Sequence, residues 1–293
     1  SPVVMNNELT SGLIKFTPSA IRNYGVIVKE KSKEGFTLQS SSLTLTNFPV
    51  CPINITSFFH LDEVNSPYFD AISGLQGTCT DCPVSAPGLV GNALQFDGEF
   101  DEVDVAPHVS FNWSENDSFS IEFWVWKDTA CTGTEVIIGR DDSSSNLHMW
   151  IGCISTGSVY FQLRDKTGAG NYVASNAVLN NGQWHHIAAV RDAITDTNYI
   201  YLDGVPSSVT YNYSNGFESA TAPLNIGFLN YGLLHHFDGL LDEVVIHNRA
   251  LTVEEVNAHF DDPQVLSYCT IAPSTYLLSV IKVGEGTITS DPA

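Results

Sequence analysis

Short segments in which apolar and polar residues alternate recur at regular spacing through residues 53–260. Examples are FSIEFWVWK, WHHIAAVRD and NYIYLDG, and turn pairs such as Asn181-Gly182 and Asp203-Gly204 separate such segments. A period of two is typical of strands with one buried face, and many short strands divided by tight turns are typical of an antiparallel sandwich or jelly roll. The chain is therefore predicted to be all-β, with two antiparallel sheets packed face to face.

One helical pattern, TVEEVNAHF, follows the last of these predicted strands. Thr252 is suited to be its N-cap, and Glu254 and Glu255 fall in the first turn, where the helix dipole favours acidic side chains. We expect a short helix at this point.

Charge limits the partners of the chain. The formal net charge is -21, and residues 1–50 hold five basic against three acidic residues, which leaves seven against thirty in residues 51–293. So acidic a surface disfavours nucleic acid and anionic lipid as partners. It suits a cation-rich medium or bound Ca²⁺.

The cysteines indicate an oxidising compartment. There are six, without the Cys/His spacing of a zinc finger, and this usage favours disulfides. No apolar run is long enough to span a membrane, and the opening SPVVMNNELT lacks a signal-peptide pattern, which indicates a mature chain or a piece of a longer one. We expect an extracellular protein or a bacterial cell-surface protein.

Three bridges are predicted. The segment from Cys131 to Cys153 is symmetric about Asp142, so an unbulged antiparallel hairpin centred there would place these two cysteines opposite each other. Cys51 and Cys269 bracket the strand-rich region and could link its ends. Cys79 and Cys82 lie in a loop rich in Gly, Pro and Thr, where a structural bridge is favoured over a redox role.

Three regions are expected along the chain. Residues 1–50 carry short alternating runs, typical of a β-rich N-terminal segment or the end of a preceding β-sandwich domain. Residues 51–270 form the predicted jelly roll. Residues 271–293 are expected to begin a C-terminal β repeat that stops before it is complete.

Several motifs together carry a family resemblance. The order and spacing of GNALQFDGEFDEVDV, FSIEFWVW, GQWHHIAAVRD, YIYLDGVP, LNIGF and FDGLLDEVVIHNRALTVEEV resemble the laminin-G-like, concanavalin A-like jelly-roll domains of bacterial surface proteins over residues 53–260. The Cys131/Cys153 hairpin and the loop GTCTDCP differ from the pattern. The C-terminal YLLSVIKVGEGTITSDPA resembles the opening hairpin of divergent internalin-type B repeats.

An acidic pair, Asp242-Glu243, interrupts the apolar run LLDEVVIHN. Strict alternation would place Asp242 on one face with Val244 and Ile246, and Glu243 on the other. Buried carboxylates are costly unless they are paired or bound to metal.

The resemblance implies a structural Ca²⁺ held by an acid of this last strand and an acid of the first strand or loop. The matching early acid is Asp70 in FDAISG, with carbonyls near Asp97 and Gly98 completing the site. The alternative is that Asp70 caps a turn and Asp242 is a rim residue bonded to backbone amides.

The resemblance also includes glycoside hydrolases, which need two carboxyls close together on one strand face. Glu102 and Asp104 supply part of such a pattern, but Ala106 and Pro107 stand where the second Glu is required. An enzymatic function is therefore the weakest of three interpretations; the other two, a recognition module and a structural spacer or filament subunit, are given below.

Binding residues are sought among exposed aromatics, because flat apolar rings stack on pyranose faces. His185 and His186 are adjacent on a strand, point to opposite faces and are expected to be structural. The candidates near predicted loops or rims are Trp113, Trp150, Tyr172, Tyr231 and His235.

The resemblance implies a non-catalytic adhesion or recognition module for a glycan or matrix ligand, stabilised by Ca²⁺. The alternative is a spacer or filament subunit, in which the basic residues 1–50 of one chain meet an acidic surface of the next.

Overall fold

The computed structural model describes residues 54–179, 181–231 and 235–264, together with the backbone of four further strands. The chain divides into two compact units, one of residues 52–270 and one of residues 1–51 with residues 271–293. In the latter, Gly12–Phe16 (β1) pairs antiparallel with Tyr276–Val280 (β20), and Val28–Ser32 (β2) pairs with Gly35–Gln39 (β3). The domain ends and the internalin-type repeat stay predictions, and Cys51 and Cys269 lie outside the described residues.

Two antiparallel sheets make up the unit of residues 52–270. In spatial order, the first sheet contains Val205–Thr210 (β17), Thr197–Leu202 (β16), Gln183–Asp192 (β15), Phe119–Lys127 (β10), Asp238–His247 (β19), Asn92–Asp97 (β8) and Val84–Pro87 (β7), with Ile55–Phe59 (β4) also pairing with β19. The second contains Gly170–Val178 (β14), Ser158–Arg164 (β13), His148–Cys153 (β12), Glu135–Asp141 (β11), Leu224–Ile226 (β18), Val103–Val105 (β9), Gln76–Thr78 (β6) and Tyr68–Phe69 (β5).

The main core lies between these sheets. Phe123 and Val244 of the first sheet and Ile138 and Ile151 of the second are fully buried in one hydrophobic cluster. Away from bulges the side chains alternate with a period of two, so the intervening residues of these strands face outwards. The prediction of an all-β, two-sheet jelly roll is confirmed.

The described residues of this unit also contain two short helices, the 3-10 helix Val109–Phe111 and the α-helix Val253–Asp261 (α1). The Thr252 hydroxyl accepts from the Glu255 amide, and the Glu255 carboxylate accepts from the Thr252 amide, so the predicted N-cap is present as a full capping box. The sequence was sufficient to predict this N-cap, because a cap involves only residues within one helical turn.

The bridges Cys131–Cys153 and Cys79–Cys82 are both formed, as predicted. The register behind the first bridge differs from our expectation. Glu135, not Cys131, pairs with Cys153, because the turn lies at residues 142–147 and is not centred on Asp142; β11 also carries a bulge after Val136. The segment before β11 therefore brings Cys131 to Cys153, with a Cα–Cα distance of 6.2 Å.

A second bulge, in β19, corrects the expected alternation. Glu243 has a φ of 53°, and the ladder to β10 shifts register between Glu122 and Trp124. As a result Leu241 and Val244 both face the core, and Asp242 does not share their face. At the same point β19 changes partner, from β8 at Leu241 and earlier to β4 at Val244 and later.

Candidate functional site

Asp242 lies where β8 and β4 separate, and it is fully buried. One carboxylate oxygen, Oδ2, accepts the amides of Leu89 (2.9 Å) and Val90 (3.0 Å), and Oδ1 has no hydrogen-bond partner. Burial raises the pKa of Asp242 to about 8, with the nearby charge of Glu243 adding to the rise and the amides opposing it. A buried oxygen without a donor requires a proton or a cation.

Further oxygens surround the turn at residues 88–91. A Cβ on Gly88 would lie 2.5 Å from the carbonyl oxygen of Asn92 and 2.7 Å from Oδ2 of Asp242. A Cβ on Gly91 would lie 2.3 Å from Oδ1 of Asp62. Asp62 also adds to the negative field at Asp242. These are hard oxygen donors around glycines that admit no side chain, which is the donor chemistry that Ca²⁺ requires.

Asp70 has a different environment. It is buried, and its Oδ1 accepts the amides of Phe58 (2.9 Å), Ile72 (2.9 Å) and Ser73 (3.1 Å). Its Oδ2 accepts the hydroxyls of Ser57 and Ser73. Asp70 thus caps a turn and shares no hydrogen-bond partner with Asp242; its role as a metal ligand stays a prediction.

Asp97 is the last residue of β8, and Gly98 is the first residue of the loop that follows. Oδ1 of Asp97 accepts the amides of Glu99 (2.8 Å), Phe100 (3.0 Å) and Asp101 (3.2 Å), so its carboxylate holds its own loop. Asp62, whose carboxylate lies beside the turn of residues 88–91, was not among the residues predicted from the sequence. The signal for it was available, since HLDE follows the first strand at least as closely as FDAISG does.

Aromatic side chains form a continuous strip on the outer face of the second sheet. Trp150 of β12 stacks with Tyr160 of β13 at 6.1 Å between ring centroids, and Tyr160 stacks with Tyr172 of β14 at 5.3 Å. We call these three side chains the aromatic row. Trp150 is 8% exposed and Tyr172 is 53% exposed, so the row runs from a packed base to an open end.

Polar groups accompany the aromatic row. Gln162 pairs in register with both Trp150 and Tyr172, and its Oε1 accepts the Trp150 indole N–H at 2.6 Å. In the neighbouring register position His148 contacts Asp141 at 2.7 Å and lies 4.8 Å from the ring of Tyr231. The combination of stacking rings with hydrogen-bonding groups at their edges suits a polyhydroxylated ligand.

The remaining binding candidates separate into two groups. Trp150, Tyr172 and Tyr231 come together on this outer face. Trp113 does not, because it is 3% exposed and stacks on Phe119 in the core. The prediction of Trp113 as a ligand-binding residue is therefore wrong. His235 is half-buried, and its carbonyl accepts the amide of Val136. Tyr160 and Gln162 were missed because alternation predicts a face but not the cross-strand register.

The two acids of the incomplete hydrolase pattern lie at β9. Asp104 accepts a hydrogen bond from the Asn225 side chain at 2.6 Å, and Glu102 precedes the strand. Burial raises the pKa of both carboxyls, and the charge of Asp104 raises that of Glu102 further.

A buried carboxylate ties helix α1 to the first sheet. Glu122 of β10 contacts His186 (3.2 Å), His247 (2.6 Å) and His259 (2.9 Å), and all four residues are buried. Burial alone would raise the pKa of Glu122, but the charge of His259 and the three ring hydrogen bonds hold it well below its usual range. His186 is therefore structural, as expected, and His185 is held by Asp203 and Asn181.

The Glu122–His259 contact predicts a loss of stability at alkaline pH. Burial opposes the charging of His259, but the charge and hydrogen bond of Glu122 and the charge of Glu255 raise its pKa above 6.5 in the folded state, although Arg249 acts against them. The contribution is complete below pH 6.5 and is lost as pH rises through the raised value. Urea unfolding of the wild type between pH 5.5 and 9 should show this decrease. His259→Gln should make this decrease smaller, and the raised pKa values of Asp242 and His60 account for the part that remains. His235→Gln should leave the curve unchanged; equal curves for all three proteins would contradict the assignment.

Two sheets of this topology, enclosing one core and carrying an aromatic outer face, define a jelly-roll sandwich of the lectin type. The laminin G family described as the concanavalin A-like lectin/glucanases superfamily matches residues 96–257. The chain belongs to this family.

Solved structures with the same fold include several binding domains. The binding domain of Paraclostridial Mosquitocidal Protein 1 has a TM-score of 0.58 and 16% identity, covering 72% of this chain and 52% of that chain. Domain 4 of AbnA, a GH43 extracellular arabinanase from Geobacillus stearothermophilus in complex with arabinotriose, has a TM-score of 0.54 and 22% identity, covering 70% and 97%. The binding domain of Botulinum Neurotoxin DC in complex with SialylT has a TM-score of 0.55 and 14% identity, covering 71% and 51%.

Among curated proteins, the N,N-dimethylformamidase beta subunit of Paracoccus aminophilus is 23% identical over 198 residues, which is 65% of this chain and 24% of that subunit. The chain thus spans about a quarter of this curated relative. None of the helices in the described part of the chain combines the length and the apolar composition needed to cross a membrane.

Proposed function

We propose that this protein is a non-catalytic extracellular recognition module that binds a glycan on the outer face of its second sheet. The aromatic row is the observation that carries the proposal. The exposed ring of Tyr172 and the half-buried ring of Tyr160 that stacks on it offer an apolar surface, with the buried Trp150 as its base, and such a surface can pack against the apolar face of a pyranose ring.

Further observations support the same face. Gln162 offers amide hydrogens beside the rings, and Asp141, His148 and Arg164 follow one another in register at the next position. These groups can exchange hydrogen bonds with hydroxyls at the ring edges. The similarity to an arabinanase domain solved with arabinotriose agrees with a carbohydrate ligand.

The proposal includes a structural Ca²⁺ at the turn of residues 88–91. Asp242 and Asp62 would hold the ion through carboxylate oxygens, together with the carbonyl oxygen of Asn92. The orphan Oδ1 of Asp242 and the two glycines support this set of ligands. An ion there would fix the turn between β7 and β8, and the disulfides agree with the calcium-rich extracellular medium.

Removing the exposed ring of the row should weaken binding. We expect Tyr172→Ala to reduce the affinity for the best ligand of a glycan array about tenfold or more, because one stacked ring contributes on the order of 1 kcal/mol beyond its buried area. Titration calorimetry on the full chain measures the change. Phe100→Ala, which removes a 63% exposed aromatic outside the row, is the matched control and should bind normally.

Other outcomes discriminate between functions. Equal affinities of the two variants would contradict the proposed face. If the wild type binds no glycan but assembles into filaments in a salt-dependent manner, the spacer or filament alternative is supported instead.

A further inference from the structure

Lys127 is a buried lysine at the end of β10, and it is 1% exposed. Its Nζ lies 2.9 Å from Oε2 of Glu135 and donates to the carbonyl oxygen of Asp238 at 2.6 Å. The same Nζ lies 3.4 Å from Oδ2 of Asp238. The ammonium group is thus held between two carboxylates, one at the start of β11 in the second sheet and one at the start of β19 in the first.

The two carboxylates have different surroundings. Glu135 is buried; its Oε1 accepts the Thr132 amide at 2.8 Å, and its Oε2 accepts the Asp238 amide at 3.2 Å. The Asp238 side chain is 51% exposed, and its Oδ2 accepts the Thr129 hydroxyl at 3.1 Å. Glu135 is therefore fixed beside both Lys127 and Asp238, whereas the Asp238 carboxyl group has one oxygen held by donors and is open to solvent.

We propose that Lys127 and Asp238 join in an intramolecular amide bond, with Glu135 as the general base. A lysine amine is a nucleophile when it is uncharged, and burial next to a base favours this form. Two groups held side by side react far more readily than the same groups in solution, because the fold has already brought them together. The bond is separate from the aromatic row and from the turn of residues 88–91, and it does not depend on glycan or Ca²⁺ binding.

The coupling forms one C–N bond and breaks one C–O bond. Glu135 takes a proton from the ammonium group of Lys127, and the free amine attacks Cγ of Asp238. The Thr129 hydroxyl donates to Oδ2 and so stabilises the charge that develops there. Of the three ammonium protons, one stays on the amide nitrogen and two leave with the other carboxyl oxygen as water, one of them returned by Glu135. One positive and one negative charge disappear together, so the step requires no oxidant, reductant or cofactor.

The bond would tie two neighbouring strands of the first sheet. The ladder between β10 and β19 includes the pair Trp126 and Leu240, and Lys127 and Asp238 lie just beyond that pair. These two residues are 111 positions apart in the chain. A covalent link across so long a loop restricts the unfolded chain and so favours the folded state, as a disulfide does.

A second lysine provides an internal control. Within residues 54–264 the other lysine is Lys166, and its Nζ lies 3.0 Å from Oε2 of Glu218. Both side chains of this pair are exposed, at 44% and 41%. An exposed ammonium keeps its charge and its hydration, so this pair should stay an ordinary ion pair although its distance is similar.

Intact-mass spectrometry of the full chain tests the bond. The folded protein is transferred to denaturant and its disulfides are reduced, so that a remaining covalent link is seen directly. We expect the wild type to be lighter than its sequence by the mass of one water molecule, and Asp238→Ala and Lys127→Arg to have their full sequence masses. A folded wild type that retains its full sequence mass overturns the proposal and leaves Lys127 in a buried ion pair.

Tryptic mapping of the wild type locates the bond without relying on the folding of a variant. We expect one branched peptide that joins Lys127 to Asp238, because trypsin does not cleave after an acylated lysine, whereas cleavage after Lys166 should be complete. A loss of water that maps to another position, such as a cyclic imide at Asp203-Gly204, overturns the proposal.

Glu135→Gln tests the general base. It retains both reacting groups and should leave most chains uncoupled, with Glu218→Gln as the matched control that couples completely. Circular dichroism verifies that each variant is folded. Complete coupling in folded Glu135→Gln would overturn the role of Glu135 as the base.

Discussion

Replacing Glu122 by Gln should lower the free energy of unfolding by about 3 to 5 kcal/mol, the usual cost of breaking a buried ion pair. The wild-type carboxylate accepts from rings on β15, on β19 and on helix α1. The rings contact both carboxylate oxygens, and a neutral amide replaces one of these acceptors by an NH₂ donor, so it cannot accept from all three rings as the carboxylate does. Urea unfolding at pH 6, analysed with a common m-value, measures the change.

The matched control for this variant is Glu99→Gln, which removes the same charge from an exposed loop position. It should change the free energy of unfolding by less than about 0.5 kcal/mol. A loss below about 1 kcal/mol in Glu122→Gln would show that the histidines find other partners. The lowered pKa of Glu122 also predicts a loss of stability at acidic pH. The contribution of this carboxylate to the free energy of unfolding is complete above pH 4.5 and is lost as pH falls through the depressed pKa.

Calcium should stabilise the protein by about 2.7 kcal/mol when it is present at a hundred times its dissociation constant. The expected signature is a higher unfolding midpoint in Ca²⁺ than in EDTA. In Asp242→Asn the difference should vanish, because the amide retains an oxygen but not the negative charge. Scanning calorimetry with and without chelator measures both.

Two further variants test whether Asp62 or Asp70 is the second carboxylate ligand of the calcium ion, beside Asp242. Asp62→Asn should lose the calcium response, whereas Asp70→Asn should lower stability equally in Ca²⁺ and EDTA, since the Asp70 carboxylate caps a turn. If Asp70→Asn loses the response and Asp62→Asn retains it, the ligand set drawn from the family resemblance is right and the geometric one is wrong. If the wild type shows no response, both sets fail.

Features decided by neighbouring residues were predictable from the sequence. The capping box of Thr252 and Glu255 involves one helical turn, and the Cys79–Cys82 bridge involves one short loop. The two-sheet architecture also followed, because alternation with a period of two reports which residues face a core. The Cys131–Cys153 bridge was predicted correctly from an incorrect register, since the symmetry of the sequence about Asp142 did not show that the turn lies at residues 142–147.

The candidate sites depended on the tertiary structure. The bulge at Glu243 moves Asp242 off the core face, and β19 changes its partner strand at the same point, where the turn of residues 88–91 brings the amides of Leu89 and Val90 to the Asp242 carboxylate. The aromatic row needs the cross-strand register of three strands, and Glu122 meets a histidine of α1 that lies 137 residues away. The sequence by itself determined the strands, the helix cap and the cysteine pairs within the described residues, because each follows from local periodicity or proximity. Which side chains meet at a site was decided only in the folded chain, because register and bulges are set by the packing of distant strands.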